Sequence, residues 1–192
     1  MSRVQKFKQK DKGTNKGHPI MYGRPKPSKH FKPFKDGGGF PIGFLEWVFE
    51  ELGVRNATKV LHICSGSVIT GVRVDIRRST RPDVVANALK LPFKNNTFEF
   101  VISDPPYSKE YAENLYGTGQ FYPSPHLLTD EALRVLRVGG KFGLLHPMIP
   151  KFHKPGKLIG TYGITTGIGY NIRAFSVLTK LGSASQLAMA PL

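Results

Sequence analysis

The chain has 192 residues, of which 40 % are hydrophobic, and its 28 lysine and arginine residues outnumber 13 acidic residues, for a formal net charge of +15. This length suffices for one substantial core and is too short for two large domains. The single cysteine excludes a disulfide within the chain, the six histidines lack paired metal-ligand spacing on one helix, and no apolar stretch approaches the roughly 20 residues that cross a membrane. We therefore expect a cytoplasmic protein that uses no metal and binds no membrane.

Residues 1–36 form a basic segment. They hold 11 of the 28 lysine and arginine residues and only two of the acidic residues. Their aromatic residues stand among lysine, glycine and proline without a periodic apolar face, so we expect this segment to be disordered. It would neutralise phosphates of DNA or RNA; the alternative is a tail that only improves solubility. The candidate contact residues are Lys6, Lys8, Lys10, Lys12, Arg24 and Lys26.

Residues 37–192 are expected to form one domain, which begins with a glycine-rich hinge. Apolar residues at helical spacing then predict a helix from Ile42 to Leu52. The apolar run from Lys59 to Ile63 predicts a buried strand, and a second strand follows at Val72–Ile76. Beyond Cys64, only Ser65 to Gly71 separate the two strands, whereas a parallel crossover usually takes a dozen or more residues. The first crossover helix is therefore expected to be missing or reduced to one turn.

Small and polar residues follow these strands. The loop after the first strand, Cys64-Ser65-Gly66-Ser67, would allow a cofactor to approach the backbone closely. The second strand ends near Asp75, and an acidic residue there is the usual partner of a ribose hydroxyl pair in doubly wound nucleotide-binding sheets. A third short strand at 84–86 leads to Asn87, whose amide can hydrogen-bond an adenine edge.

The apolar run Phe98–Ser103 predicts a strand that ends in Asp104-Pro105-Pro106-Tyr107. The amino nitrogen of a nucleic-acid base is a poor nucleophile, because its lone pair is delocalised into the ring. A carboxylate and a free backbone carbonyl can draw that pair out and stabilise the charge that develops, and the two prolines remove competing backbone donors. Tyr107 offers an aromatic face for an unstacked base. The alternative is a simple strand end with a buried tyrosine.

Residues 108–125 contain four aromatic residues, Lys109 and two glycines. This segment is either a recognition loop that closes over a flipped nucleotide or an ordinary surface loop with a short helix at Lys109–Leu115. Further along, alternating glycine and apolar residues at 158–181 predict a closing hairpin at the sheet edge.

From about Gly53 to about Lys180, these motifs resemble the class I methyltransferases that use S-adenosylmethionine, and specifically the amino-methyltransferases with a DPPY motif. The resemblance implies a Rossmann-like, doubly wound, mostly parallel sheet with a C-terminal antiparallel hairpin. It also implies a helix at 127–136, a turn at Arg137–Gly140 and a fifth strand at 141–147. Asp104, Pro105, Pro106 and Tyr107 would contact the target base. The cofactor-binding residues would be His62, Cys64, Ser65, Gly66, Asp75, Ile76, Asn87 and Ala88.

The sequence departs from that family at two positions. His62 replaces the usual acidic residue near the end of the first strand, and Val68 replaces a glycine of the cofactor loop. The expected function is nevertheless methylation of an exocyclic amino group, first of all adenine N6 in DNA. One alternative is an RNA methyltransferase that makes N2-methylguanine or N6-methyladenine. Another is an inactive nucleic-acid-binding module on a methyltransferase scaffold.

Overall fold

The computed structural model describes residues 40–41, 43–165 and 171–182. The basic segment 1–36, with its six candidate contact residues, lies outside them. Three 3-10 turns, at Ala57–Lys59, Arg78–Thr80 and Gly119–Phe121, connect the main elements. Those elements are α1 (Phe44–Leu52), β1 (Val60–Ile63), β2 (Val72–Asp75), β3 (Val84–Val85), β4 (Phe98–Ser103), α2 (Lys109–Tyr116), α3 (Pro125–Val135), β5 (Leu136–His146), β6 (Gly156–Ile164) and β7 (Arg173–Lys180).

The strands form one seven-stranded sheet in the order β3-β2-β1-β4-β5-β7-β6. Strands β1 to β5 are parallel, and β7 runs antiparallel to both of its neighbours. The predicted fold class, including its C-terminal antiparallel hairpin, is therefore confirmed. Because the strand order reverses between β1 and β4, a crevice is expected at their carboxyl ends.

Two apolar clusters cover the two faces of the sheet. On one face, α3 packs on Leu61, Ile63 and Val101, and on the other, α1 packs on Val60 and Ile102. Successive residues of β1 and β4 therefore point into different cores, and all of these side chains are fully buried. Burial on both faces explains why these strands are nearly continuous apolar runs in the sequence.

The connection from β1 to β2 contains no helix, as its length predicted. Its last residue, Gly71, has φ +76°, a left-handed conformation that glycine adopts without strain. A Cβ atom at Gly71 would lie 2.4 Å from the carbonyl oxygen of Val60 and 2.8 Å from the His62 ring. A glycine is therefore required where the chain turns back into the sheet beside β1.

One expectation about the second half of the domain needs correction. Arg137–Gly140 is not a separate turn, because β5 already begins at Leu136. The register against β4 shifts there, with Phe98 opposite Leu136 and Phe100 opposite Lys141, so the extra residues of β5 form an exposed bulge. The closing hairpin lies at the sheet edge as predicted, with β7 paired to β5 and β6 as the outer strand.

Candidate active site

A cleft of about 880 Å³, including its open mouth, lies at the carboxyl ends of β1, β2 and β4. Parallel strands place their carboxyl ends at one edge, so loops that are distant in sequence meet there. The predicted residues that line the cleft are Cys64, Gly66, Asp75, Ile76, Ala88, Asp104, Pro105, Pro106 and Tyr107. The segment 108–123 covers it with Tyr111, Tyr116, Thr118, Phe121 and Pro123.

Asp104 belongs to a three-residue polar network. The Tyr107 hydroxyl donates a hydrogen bond to Asp104 Oδ1 at 3.1 Å, and Arg173 Nη1 donates one to the Tyr107 hydroxyl at 2.7 Å. Arg173 Nη1 also lies 4.0 Å from Asp104 Oδ2. Tyr107 thus links the Asp-Pro-Pro-Tyr turn after β4 to the first residue of β7, and all three side chains are held in one arrangement.

The Asp104 carboxyl group is almost fully buried, with 8 % of its side chain exposed. Burial raises its pKa to about 7, although the Arg173 guanidinium and the Tyr107 hydroxyl both act to lower it. A carboxyl group with this pKa is partly ionised at neutral pH. It can therefore accept a hydrogen bond from an amino group and can also take up a proton.

Replacing Arg173 with glutamine is expected to raise the pKa of Asp104 further, because the nearby positive charge is lost. We expect a rise of about 1 pH unit or more, measured by ¹³C NMR titration of the Asp104 carboxyl carbon. Arg173→Lys, which keeps the charge, should lie between the wild type and Arg173→Gln. An unchanged Asp104 pKa in the glutamine variant would contradict the electrostatic role of Arg173.

The Tyr107 ring is not free to receive a base in this conformation. Tyr111 stacks on it with ring centroids 5.5 Å apart and an interplanar angle of 28°, and the His146 ring packs against it edge-on at 5.7 Å. Tyr111 is itself 41 % exposed. An incoming base would therefore stack on Tyr107 only after Tyr111 had moved, or would stack on Tyr111 itself.

The other half of the cleft is organised by Asp75, which is 4 % exposed. Its Oδ2 accepts a hydrogen bond from the Gly66 backbone at 2.9 Å, and its Oδ1 accepts two from Arg77, from the backbone N–H at 2.9 Å and from Nε at 3.3 Å. The Arg77 guanidinium lies 4.2 Å from the centroid of the Tyr116 ring. Asp75 therefore fixes the loop after β1, and Arg77 connects it to the covering segment.

Cys64 occupies the first position of this loop with φ +55°, which is unusual for a residue other than glycine. Burial, together with the carboxylates of Asp75 and Asp104, raises the pKa of its thiol. The thiol therefore stays protonated at neutral pH and lacks the thiolate form that a nucleophile needs.

Four predicted contact residues do not line the cleft. His62 is fully buried on the α1 face of the sheet, where its ring packs against Phe40 and Phe49. Ser65 is only 1 % exposed, and its backbone N–H donates a hydrogen bond to the Val74 carbonyl oxygen in β2. The Asn87 Oδ1 accepts a hydrogen bond from the Leu89 backbone at 2.8 Å. Lys109 is exposed on the first turn of α2.

The sequence interpretation missed Arg77 and Arg173, although both line the cleft. Arg173 is at the cleft because β7 is antiparallel to β5, with Ala174 opposite His146. The start of β7 therefore meets the carboxyl end of β5. The only clue in the sequence was a single arginine at the head of a strand whose other charged residue, Lys180, lies at the opposite end.

Two further observations concern the described residues alone. No group of three histidine, cysteine, aspartate or glutamate side chains among them is placed to hold a metal ion. None of the helices in this part of the chain has both the length and the apolar character needed to cross a membrane.

No protein-family model and no curated protein sequence matches this chain. Among solved structures, a chain in the complex between the Haloferax volcanii Trm112 methyltransferase activator and a methyltransferase is 11 % identical, with a TM-score of 0.50, and the match covers 72 % of this chain and 89 % of that one. The [4+2]-cyclase SpnF matches with 11 % identity, a TM-score of 0.49 and coverage of 84 % and 90 %. An Aquifex aeolicus SAM-dependent methyltransferase is 13 % identical, with a TM-score of 0.44 and coverage of 69 % and 88 %.

At such identities similarity establishes the fold and leaves the reaction open. The chain has the Rossmann-like fold of the class I methyltransferases.

Proposed function

We propose that this protein is an S-adenosylmethionine-dependent methyltransferase that acts on an exocyclic amino group of a nucleic-acid base, with adenine N6 in DNA as the first candidate. The observation that supports it most is the buried Asp104 carboxyl group on a Pro-Pro turn, in the same cleft as the loop around Gly66 and Asp75. The family resemblance assigns that loop to the cofactor, and the nearness of the turn to the loop supports the proposal.

The residues of the cleft suit this cofactor. Ala86 and Ala88 are small side chains on its wall, where a flat adenine ring can lie. A carboxylate offers about four lone-pair positions, and three donors approach Asp75, so one position remains for a ribose hydroxyl. The bound cofactor supplies a methyl group activated by a positively charged sulfur. Asp75 would hold the ribose, and Gly66 would face the methionine part.

Asp104 is the residue that activates the substrate in this proposal. Its carboxylate accepts a hydrogen bond from the amino N–H, and the Pro105 carbonyl accepts the second one. The nitrogen gains positive charge as it is methylated, and the nearby carboxylate stabilises this charge. The nitrogen then releases a proton, which Asp104 can accept because its pKa is about 7. Arg173 favours the ionised form of Asp104, because its positive charge lowers the pKa of that carboxyl group.

The decisive experiment is nucleoside mass spectrometry after incubation of DNA and total RNA with methyl-labelled S-adenosylmethionine, with Asp104→Asn as the control. Label in N6-methyldeoxyadenosine supports the DNA reaction. Label only in N2-methylguanosine or N6-methyladenosine assigns the enzyme to RNA instead. Absence of label from every nucleoside contradicts the proposal.

One observation favours the inactive module as a second candidate. Asp75 is already bonded to Gly66 and Arg77, so the ribose hydroxyl must share an occupied carboxylate. Isothermal titration calorimetry with S-adenosylmethionine separates the two candidates. Binding in the micromolar range supports the enzyme, whereas no heat at millimolar cofactor supports a nucleic-acid-binding module without catalysis.

Replacing Lys6, Lys8, Lys10 and Lys12 with glutamine is expected to weaken nucleic-acid binding and to reduce its salt dependence. Each lost phosphate contact should lower the slope of log K against log salt by about 0.7 on single strands and about 0.9 on duplex DNA. Fluorescence anisotropy between about 50 and 200 mM salt measures the slope. The matched control replaces four exposed lysines of the domain, Lys90, Lys94, Lys154 and Lys157. Equal effects of the two sets would show that the basic segment has no special role.

A further inference from the structure

Six large apolar side chains remain exposed around the cleft, and we call them the apolar rim. Tyr111 and Leu115 lie one turn apart on α2, Phe121 follows in the covering segment, and the others flank the ends of β5 and β7. Their exposed fractions lie between 41 % and 66 %. The apolar rim consists of Tyr111, Leu115, Phe121, Met148, Ile149 and Ile172.

Contacts to Tyr107 place this rim at the site. Tyr111 stacks on the Tyr107 ring, and Phe121 lines the same cleft. The Met148 backbone N–H is bonded to the His146 ring, which packs against Tyr107. Ile172 directly precedes Arg173, whose guanidinium donates to the Tyr107 hydroxyl. Two members of the rim therefore line the cleft, and Met148 and Ile172 are next to groups that contact Tyr107.

The covering segment lacks the positive charge that is common in the rest of the chain. Residues 108–123 contain one basic residue, Lys109, and two acidic residues, Glu110 and Glu113, so their net charge is negative in a chain of net charge +15. The two arginines in the cleft are already bonded to Asp75 and Tyr107. Exposed lysines follow Met148 and Ile149 in the loop at 151–157. Among the described residues, the surface formed by the covering segment is thus apolar and slightly acidic.

This surface is poorly suited to a continuous duplex. Duplex DNA presents one phosphate charge per about 1.7 Å of helix axis and keeps the faces of its bases stacked inside, so a surface that binds it needs cations. Unpaired nucleotides expose base faces, which stack on aromatic side chains with about 1–3 kcal/mol per base, and neighbouring apolar side chains can pack against the same faces. Stacking of this kind requires no basic residue at the rim.

We propose that the cleft takes its target base from unpaired nucleotides, in a single strand or a loop, and that the apolar rim stacks on the flanking bases. This inference rests on the proposed function and specifies its substrate class. The basic segment 1–36, if it binds phosphates, would then hold the backbone while the rim holds the bases. A base that is already unpaired needs little energy to enter the cleft, so no large recognition domain is required to extract it.

The test measures binding by fluorescence anisotropy and needs no turnover. The probes are a dye-labelled oligonucleotide of about 12 residues as single-stranded DNA, single-stranded RNA, a hairpin loop and a perfect duplex, since single-strand sites span about 4–16 nucleotides. We expect a single-stranded or loop probe to bind at least about tenfold more tightly than the duplex at equal salt. Equal or tighter binding of the duplex would overturn the inference.

Paired variants then test the rim itself. Met148→Ser with Ile172→Ser should weaken single-strand binding about tenfold, because stacking surface is lost. The control, Leu158→Ser with Ile159→Ser, alters two apolar residues that are 42 % and 48 % exposed and belong to the edge strand β6. Equal behaviour of the two variants would contradict a role for the rim. Incubation of the same probes with methyl-labelled S-adenosylmethionine separates the two proposals. Single-strand binding without transfer of label to the probe contradicts methylation alone. Label that enters protein instead of the nucleic acid contradicts both proposals.

Discussion

Replacing Asp104 with asparagine is expected to abolish methyl transfer and yet to stabilise the folded chain above neutral pH. The loss of activity should reach at least about 10³-fold, because asparagine can neither stabilise the charge on the substrate nitrogen nor accept its proton. Cofactor affinity should stay within a few-fold of the wild type, since Asp75 and Gly66 lie in the other half of the cleft. Wild-type turnover should increase with pH through a midpoint near 7.

The expected gain in stability follows from the pKa of Asp104 in the two states of the chain. The group ionises near 3.8 when unfolded and at about 7 when folded, so between these values the folded state holds a proton that the unfolded state has released. Stability therefore decreases as pH rises from about 4 to about 7, and the cost remains above that range. At 1.36 kcal/mol per pH unit the cost at pH 8 is on the order of 4 kcal/mol, and asparagine removes it.

Urea unfolding of the wild type and the variant at pH 5 and pH 8 measures this difference. The variant should gain more stability over the wild type at pH 8 than at pH 5. Asp83→Asn is the matched control, because Arg73 lowers the pKa of that carboxyl group and its loss should destabilise the chain at neutral pH. The assigned role would be contradicted if the free energies of unfolding of the Asp104 variant and the wild type differed by the same amount at both pH values. It would also be contradicted if the variant kept its turnover.

The turn Asp104–Tyr107 was predictable because each of its features is local. Phe98–Ser103 is long and apolar enough to define a buried strand, and the four residues that follow lie on consecutive positions. Parallel strands then bring their ends together, so the approach of Gly66 and Asp75 to Asp104 follows from topology. Even the missing crossover helix followed from the eight residues, 64–71, that are available to span the connection.

The features that escaped prediction depend on register and packing between distant segments. Arg173 reaches the site only because β7 inserts antiparallel beside β5, with a register that no short motif encodes. The stacking of Tyr111 on Tyr107 depends on where α2 begins, one residue after the Ser108 cap. His62 was misplaced for a related reason. Side chains alternate between the two faces along β1, and this alternation directs His62 to the α1 face. The family resemblance had assigned the same position to the cofactor.

The same short crossover makes Gly71 a vulnerable backbone position, and Gly71→Ala is expected to destabilise the chain by more than about 3 kcal/mol. Its added Cβ would lie 2.4 Å from the Val60 carbonyl oxygen and 2.8 Å from the His62 ring, and both residues are fully buried. Neither can withdraw without disturbing the pairing of β1. Urea unfolding of the variant and the wild type measures the loss.

Gly53→Ala separates backbone strain from this clash. Gly53 ends α1 with φ +75°, almost the conformation of Gly71, but no atom lies within 4 Å of its added Cβ. Its variant should therefore lose only the 1–2 kcal/mol, roughly, that a left-handed alanine costs. A difference between the two variants then measures how tightly the chain is confined where it returns beside β1. Equal losses of stability in the two variants would mean that β1 and its neighbours shift to make room for the added Cβ. The loop that holds Gly66 against Asp75 would then not depend on a close fit at Gly71.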